Sequence, residues 1–196
     1  MIRVVVIVTA AGMSTRNPPN KLLIRLDDES VIEKTVGTFT QLPVQTVVVL
    51  GYQGEIMQPL LENRFGDTLS IVHNPEYTSG IAGSVRVGVQ SIEPGTVDYY
   101  AFCNGDRPFI KAQTVTYLLS QVDALRPLIA IPTFLYEVGH PTFFAGSLRD
   151  ELLQVTGDLG GRPVIERHRD KVLNIPVDDE GITIDMDQYI GTKRVG

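Results

Sequence analysis

Apart from Arg3, residues 2–8 are all isoleucine or valine, with no polar residue alternating between them. A strand with one wet face would show a period of two. An unbroken β-branched run of this length is instead how a strand covered on both faces reads, so Ile2–Val8 is expected at the centre of a sheet. The same pattern recurs at Thr46–Leu50, Leu69–His73, Tyr99–Cys103 and Leu128–Pro132. Helical patterns lie between these runs. Ser30 and Glu33 have capping-box spacing and open a helix over Val31–Gln41, which Pro43 closes. Ile56, Leu60, Leu61 and Phe65 mark a second helix over Glu55–Phe65, stopped by Gly66; residues 81–92 and Ala112–Leu125 suggest two more. Short strands exchanging with helices of this length indicate βαβ units and a mainly parallel sheet with helices on both faces.

After residue 133 the order is less regular. A strand is expected at Thr142–Phe144, helices at Ser147–Val155 and Gly161–His168, a strand at Val172–Ile175, and a last short strand carrying Asp185 and Asp187. The fold class is therefore α/β, a three-layer Rossmann-like sandwich with a mainly parallel mixed sheet. With 196 residues and no repeat, linker or low-complexity tract, one domain over 1–196 is the economical organisation.

Charge and cysteine usage narrow the partners. Seventeen Lys and Arg stand against 23 Asp and Glu, a net charge of −6, which argues against broad nucleic-acid binding. An anionic ligand must then be held by local cations, backbone amides or a metal. Cys103 is the sole cysteine, so neither an internal disulfide nor a thiolate zinc site is possible, and a cytoplasmic location is the default expectation. Val4–Val8 is too short for the apolar core of a signal peptide, and no run approaches the ~18–20 apolar residues of a membrane span. His73, His140 and His168 lack metal-ligand spacing, and no Gly-x-Ser-x-Gly elbow occurs. Oligomeric state is not marked in the sequence.

Ligands of open α/β sheets bind beyond the carboxyl ends of the strands, which directs attention to the loops there. The loop Thr9–Lys21 holds Ala10, Ala11 and Gly12, whose small size allows backbone amides to approach a ligand, and Ser14, Arg16 and Lys21, which supply donors and positive charge. It is neither a Walker A loop nor a dinucleotide fingerprint, and a glycine turn with solvated Arg and Lys has the same composition. Asp106 follows the Tyr99–Cys103 strand, so its carboxylate could meet a hard cation such as Mg²⁺; an Asp-x-Pro turn is the plainer alternative. Asp185 and Asp187 on a strand would share a face and could flank one ion, or form a solvated acidic tail with Asp178, Asp179 and Glu180. Gly80 and Ser84 could recognise a base or simply open a helix. Asn74 and Tyr77 could touch ribose or base, or form an Asn-Pro turn.

Taken in order, these segments resemble a known family. Ala10-Ala11-Gly12-x-Ser14-x-Arg16 with Lys21 behind it is similar to the signature of molybdenum cofactor cytidylyltransferase-like nucleotidyltransferases, within the MobA-like NTP transferase superfamily. Asn74-Pro75-Glu76-Tyr77 with Gly80 and Ser84–Gly88, Asn104–Pro108, Gly139-His140-Pro141, Gly157–Arg162 and Asp185-Met186-Asp187 resemble its later motifs, so the likeness runs through nearly the whole chain. It implies a fold of the nucleotide-diphospho-sugar transferase type. It also implies a Mg²⁺ site at Asp106 and Asp187, nucleotide contacts from Ala10, Ala11, Gly12, Ser14, Arg16, Lys21, Asn74, Gly80 and Ser84, catalytic roles for Arg16, Lys21 and Asp106, and acceptor contacts from His140 and Arg162. The implied reaction moves a nucleotidyl group from a nucleoside triphosphate to a phosphate-bearing acceptor and releases pyrophosphate. Ala-Ala-Gly in the first loop resembles the cytidylyl members and points to CTP, and the Gly-His-Pro and Gly-Asp-x-Gly segments point to molybdopterin.

The chain departs from that pattern at three places. Asn17-Pro18-Pro19 replaces the usual Met-Gly after the arginine, Arg107 stands where an apolar residue is usual, and Gln188-Tyr189 replaces Thr-Pro after Asp187. These put the second metal ligand and the acceptor in question. A relative acting on a sugar or polyol phosphate, or a noncatalytic nucleotide-binding regulator, would share the same first half.

Overall fold

The computed structural model describes residues 1–13 and 20–193. Ten strands and seven helices follow in the order β1 (Val4–Ala10), β2 (Arg25–Leu26), β3 (Glu29–Ser30), α1 (Val31–Thr40), β4 (Gln45–Leu50), α2 (Gly54–Phe65), β5 (Ser70–His73), α3 (Ile81–Gln90), β6 (Tyr99–Asn104), α4 (Ala112–Leu125), β7 (Ile129–Phe134), β8 (Glu137–Val138), β9 (Thr142–Ala145), α5 (Arg149–Leu153), α6 (Arg162–Arg167), β10 (Val172–Pro176) and α7 (Met186–Lys193), counted among the described residues. An eight-stranded sheet runs β10-β7-β9-β6-β1-β4-β5, with β8 added to β7 as a hairpin, while β2 and β3 form a separate ribbon. All main-path pairings are parallel except those of β9, which lies antiparallel between β6 and β7.

The central position expected for the first strand is observed. β1 pairs with β4 on one side and β6 on the other, and alternate residues feed opposite cores. Val4, Val6, Val8 and Ala10 pack with α1, α2 and α4 through Ile32, Val36, Phe39, Leu61, Val115 and Leu118. Val5 and Ile7 pack with α3, α5 and α6 through Val85, Val89, Leu152 and Val164. Helix α3 comes so close that a Cβ on Gly88 would lie 2.5 Å from Ile7 Cγ2. The α1 capping box forms as its spacing predicts, with Ser30 Oγ accepting from Glu33 N and the Glu33 carboxylate accepting from Ser30 N at 2.8 Å.

Two expectations need correction. Residues 147–155 do not form one helix: a 3-10 turn over Gly146–Leu148 precedes the five-residue α5. Asp185 and Asp187 are not on a strand. Asp185 Oδ1 accepts from Gln188 N at 2.8 Å, and Gln188 Oε1 accepts from Asp185 N at 3.2 Å. This reciprocal cap turns the chain into α7, so the two carboxylates do not share a strand face. Among the described residues, no helix is long and apolar enough to cross a membrane.

Candidate active site

The strand order β5-β4-β1-β6 reverses direction at β1: the chain steps outward to β4 and β5, then returns to β6 on the other side. The crevice beyond the carboxyl ends at such a switch point is where doubly wound sheets take their ligands. A cleft of about 660 Å³ lies there, lined from the β1 end by Thr9–Met13, from the β6 end by Asn104–Asp106, and by residues of the 77–81 segment, Gly157, Asp158 and Asp187.

Close packing between loops explains the small residues. Ala10 and Ala11 are almost fully buried, and a Cβ added at Gly51 or Gly105 would come within 2.7 and 3.1 Å of their methyl groups. Their size therefore seats the β1, β4 and β6 loops against one another. Gly12 differs, because a Cβ there would meet nothing within 4 Å. No packing among the described residues demands a glycine at this position in the cleft lining. Ser14 and Arg16, expected in this loop, lie outside the described residues.

Lys21 is placed by the turn that follows. Asn20 Oδ1 accepts from Leu22 N at 3.1 Å, starting a 3-10 turn over Lys21–Leu23 that is pinned by buried Leu22. The ammonium then lies 2.6 Å from Asp106 Oδ2 and 2.9 Å from Asp187 Oδ2. Burial alone would depress this lysine, but the two carboxylates, Asp106 foremost, outweigh it and hold the ammonium above the ordinary lysine value. Asp106 is presented by the loop after β6, which is held to β1 by Gly105 N donating to Thr9 O at 2.9 Å and to α1 by Thr35 Oγ1 donating to Gly105 O at 2.9 Å.

Among the described residues, the buried Asp106 Oδ1 has no hydrogen-bond partner. Asp106 and Asp187 both line the cleft, and a carboxylate with an unpartnered oxygen beside a second carboxylate is a donor set suited to a hard divalent cation. Among the described residues no group of three acidic, His or Cys side chains could cage a metal. Two carboxylates leaving the other positions to water and phosphate oxygens are typical of Mg²⁺ rather than of a protein cage.

On the opposite wall, Gly80 (φ 103°) leads into α3, and a Cβ there would lie 2.6 Å from Gly157 O. Ala82 N donates to Gly157 O at 3.1 Å, and Ile81 N donates to Asp158 Oδ1 at 3.2 Å, so the Gly157-Asp158 loop closes over this helix start. Asp158 lies in the cleft lining; it belongs to the Gly-Asp-x-Gly segment that carried part of the family resemblance, although no site role was assigned to it there.

The expected residues thus divide. Ala10, Ala11, Gly12, Lys21, Gly80, Ser84, Asp106 and Asp187 line one cleft. Asn74 sits behind it: its Nδ2 donates to Ser84 Oγ at 3.1 Å and its Oδ1 accepts from Glu76 N, so its polar groups are spent on orienting Ser84 and the turn. Neither His140 nor Arg162 is part of the lining. His140 Nδ1–H donates to Phe102 O at 3.3 Å, and burial, reinforced by the positive charge of Arg107, lowers its pKa to about 4. Arg162 is exposed and pairs with Glu166 one turn along α6 at 2.9 Å. Cys103 is fully buried, and burial pushes its thiol well above the ordinary value, consistent with packing rather than nucleophilic attack.

Comparison with known proteins gives this geometry a context. Residues 6–172 match the model of the MobA-like NTP transferase domain. Molybdenum cofactor cytidylyltransferase of Escherichia coli (strain K12) is 26% identical over 102 residues, which cover 52% of this chain and 50% of that protein. The match therefore spans about half the length of that curated relative. Among solved structures, the Rv0371c homolog from Mycobacterium sp. strain JC1 superposes with a TM-score of 0.79 at 26% identity, covering 98% of this chain and 94% of that one. The 4-diphosphocytidyl-2C-methyl-D-erythritol synthase of Anaerococcus prevotii shares the fold at a TM-score of 0.74 and 16% identity, with 99% and 96% of the two chains covered.

Proposed function

We propose that this chain, which belongs to the MobA-like NTP transferase family, transfers a nucleotidyl group from a nucleoside triphosphate to a phosphate-bearing acceptor. The observation that carries this reading is the meeting of one ammonium with two carboxylates, one of them holding an orphaned oxygen, at the sheet's switch point. An acceptor phosphate oxygen attacks the α-phosphorus in line. A new O–P bond forms as the bond to the β-phosphate bridging oxygen breaks, and pyrophosphate leaves with the electron pair. No covalent enzyme intermediate is required, so the demand on the protein is alignment and charge compensation.

In this reading Asp106 and Asp187 hold the Mg²⁺, which when bound would offset negative charge on the triphosphate. Lys21 faces the leaving phosphates together with the backbone amides of residues 11–13, and Ser14 and Arg16 complete that loop. Unit charges ~4 Å apart at an effective dielectric of ~20 interact by about 4 kcal/mol, enough for the loss of one cation to matter at the transition state. Gly80 and Ser84 meet the base, with Asn74 as the support of Ser84. We take the base to be cytosine and the acceptor to be molybdopterin, following the motif resemblance and the name of the E. coli relative. Acceptor roles for His140 and Arg162 draw no support from the cleft lining. Gly157 and Asp158 are better placed to form that wall.

Calorimetric titration with CTP, GTP and ATP, each with and without Mg²⁺, tests the nucleotide. Tighter binding of CTP is expected, and equal binding of all three removes the cytidylyl assignment. Pyrophosphate release with molybdopterin, a polyol phosphate and a sugar phosphate tests the acceptor. Equal rates from wild type and Asp106→Ala would show that the site is wrongly assigned.

A further inference from the structure

Two features that set this chain apart, Arg107 and the Gln188-Tyr189 pair after Asp187, converge on one segment of the structure. Arg107 follows Asp106 directly. Its guanidinium is only 13% exposed, with Nη1 donating to the Thr183 carbonyl and Nη2 lying 3.8 Å from Asp185 Oδ2. Asp185 in turn exchanges hydrogen bonds with Gln188, forming the cap of α7. The backbone repeats the connection, since Met186 N donates to Asp106 O at 3.1 Å. Tyr189, one turn into the helix, rests on Phe109 with ring centroids 4.8 Å apart. Apart from the cap itself, which is internal to the helix start, these contacts tie the loop that carries Asp106 to the segment that carries Asp187.

A packed guanidinium is a costly way to fill space. It loses hydration and side-chain freedom that an apolar residue would not lose. Among the described residues the Nε of Arg107 is buried without a partner. What the guanidinium does reach is one carbonyl and one carboxylate, both in the four residues before Asp187. The position of that carboxylate is sensitive to such a restraint. A side-chain group ~5–6 Å from a helix axis moves by ~2 Å when the helix turns through ~20°, which is comparable with an entire Mg–O contact.

We propose that Arg107 is a positioning residue: acting through Asp185, it fixes the rotation of α7 so that Asp187 stays opposite Asp106. The inference rests on the reading of Asp106 and Asp187 as a cation-binding pair.

The test is Mn²⁺ binding to the full chain, followed by loss of the free-ion electron paramagnetic resonance signal, with circular dichroism and thermal melting to verify folding. Arg107→Leu and Asp185→Asn are each expected to weaken Mn²⁺ about tenfold, the usual effect of removing a residue that orients a ligand. The double variant should be no weaker than either single one, because both remove the same link. Arg107→Lys, which keeps the charge but not the fork, should recover part of the affinity. Asp187→Asn serves as the reference. If it binds Mn²⁺ like wild type, the cation-site reading itself fails. If it loses affinity while Arg107→Leu does not, that reading stands and the role of Arg107 is refuted. Should Arg107→Leu fail to fold, Asp185→Asn decides. It removes the carboxylate charge through which Arg107 acts while keeping an oxygen for the cap, and wild-type Mn²⁺ affinity there refutes the proposal.

Discussion

Replacing Lys21 with methionine should lower stability and, at the same time, increase the response to a divalent cation. The ammonium lies 2.6 Å from one carboxylate and 2.9 Å from the other, with side-chain exposures of 18% for Lys21, 12% for Asp106 and 28% for Asp187. Fully buried pairs lose ~3–5 kcal/mol when one member is removed and exposed pairs under ~1 kcal/mol. A partly buried lysine shared by two partners falls between these limits, and we expect a loss of about 2–3 kcal/mol. For a domain of this size that corresponds to a drop of roughly 5–10 °C in Tm. Methionine keeps most of the stem volume, so the loss reports charge rather than packing. A divalent ion binding the wild-type carboxylates must displace the ammonium toward the phosphates, whereas in Lys21→Met it enters a pair already left repelling. Saturation at ~100-fold over Kd stabilises by about 2.7 kcal/mol. The Mn²⁺-induced rise in Tm should therefore be larger for the variant than for wild type. Differential scanning fluorimetry with and without Mn²⁺ measures both quantities. Equal melting without metal, or the same Mn²⁺ shift in both proteins, would refute the argument that the lysine and the cation share one pair of carboxylates.

Glycine substitutions should separate binding from packing. Gly12→Ala projects a methyl into open space at the cleft mouth, so Tm should hold while the KM for the triphosphate rises about tenfold, whereas Gly88→Ala should cost ~1–3 kcal/mol in a denaturant melt through its clash with Ile7. Gly80→Ala combines a φ of 103° with a 2.6 Å approach to Gly157 O, and should destabilise by ~1–3 kcal/mol and speed proteolysis of the 157–161 loop. The pKa of His140, lowered to about 4, predicts acid sensitivity. The unfolded chain, with an ordinary histidine near ~6.5, takes up a proton that the folded chain refuses, so this contribution is intact above ~6.5 and disappears as pH falls through about 4. At most ~3 kcal/mol is involved, reduced by partial exposure, and Tm against pH should be flatter for His140→Gln than for wild type.

The sheet was legible because each central strand had to satisfy two dry faces. Val4–Val8 could do so only with unbroken β-branched residues, and capping and stop signals at Ser30, Glu33 and Gly66 bounded the helices. The C-terminal part was harder. Asp185-Met186-Asp187 reads as strand alternation, yet the cap formed by Gln188 takes it into a helix, and a three-residue window cannot distinguish the two. Nor does local sequence reveal that Asn74 supports Ser84; by contrast, Arg162 and Glu166 stand at i,i+4 spacing in the expected helix, so their pairing was legible and weighs against an acceptor role for the arginine. Motif order marks the cleft residues as a group, but the direct contact of Lys21 with both aspartates depends on tertiary placement, across 166 positions of sequence for Asp187.

That separation has a temporal meaning. Lys21 lies in the 3-10 turn that follows β1 and Asp106 in the loop after β6, all of which is translated before residue 185. At ~5–20 residues per second, several seconds pass before α7 exists. During that interval the nascent chain can pair β1 with β6 and set the loops that carry Lys21 and Asp106, while the second carboxylate that meets this lysine is still missing. On the reading of Asp106 and Asp187 as a cation-binding pair, a chain at that stage offers a divalent ion one carboxylate in place of two.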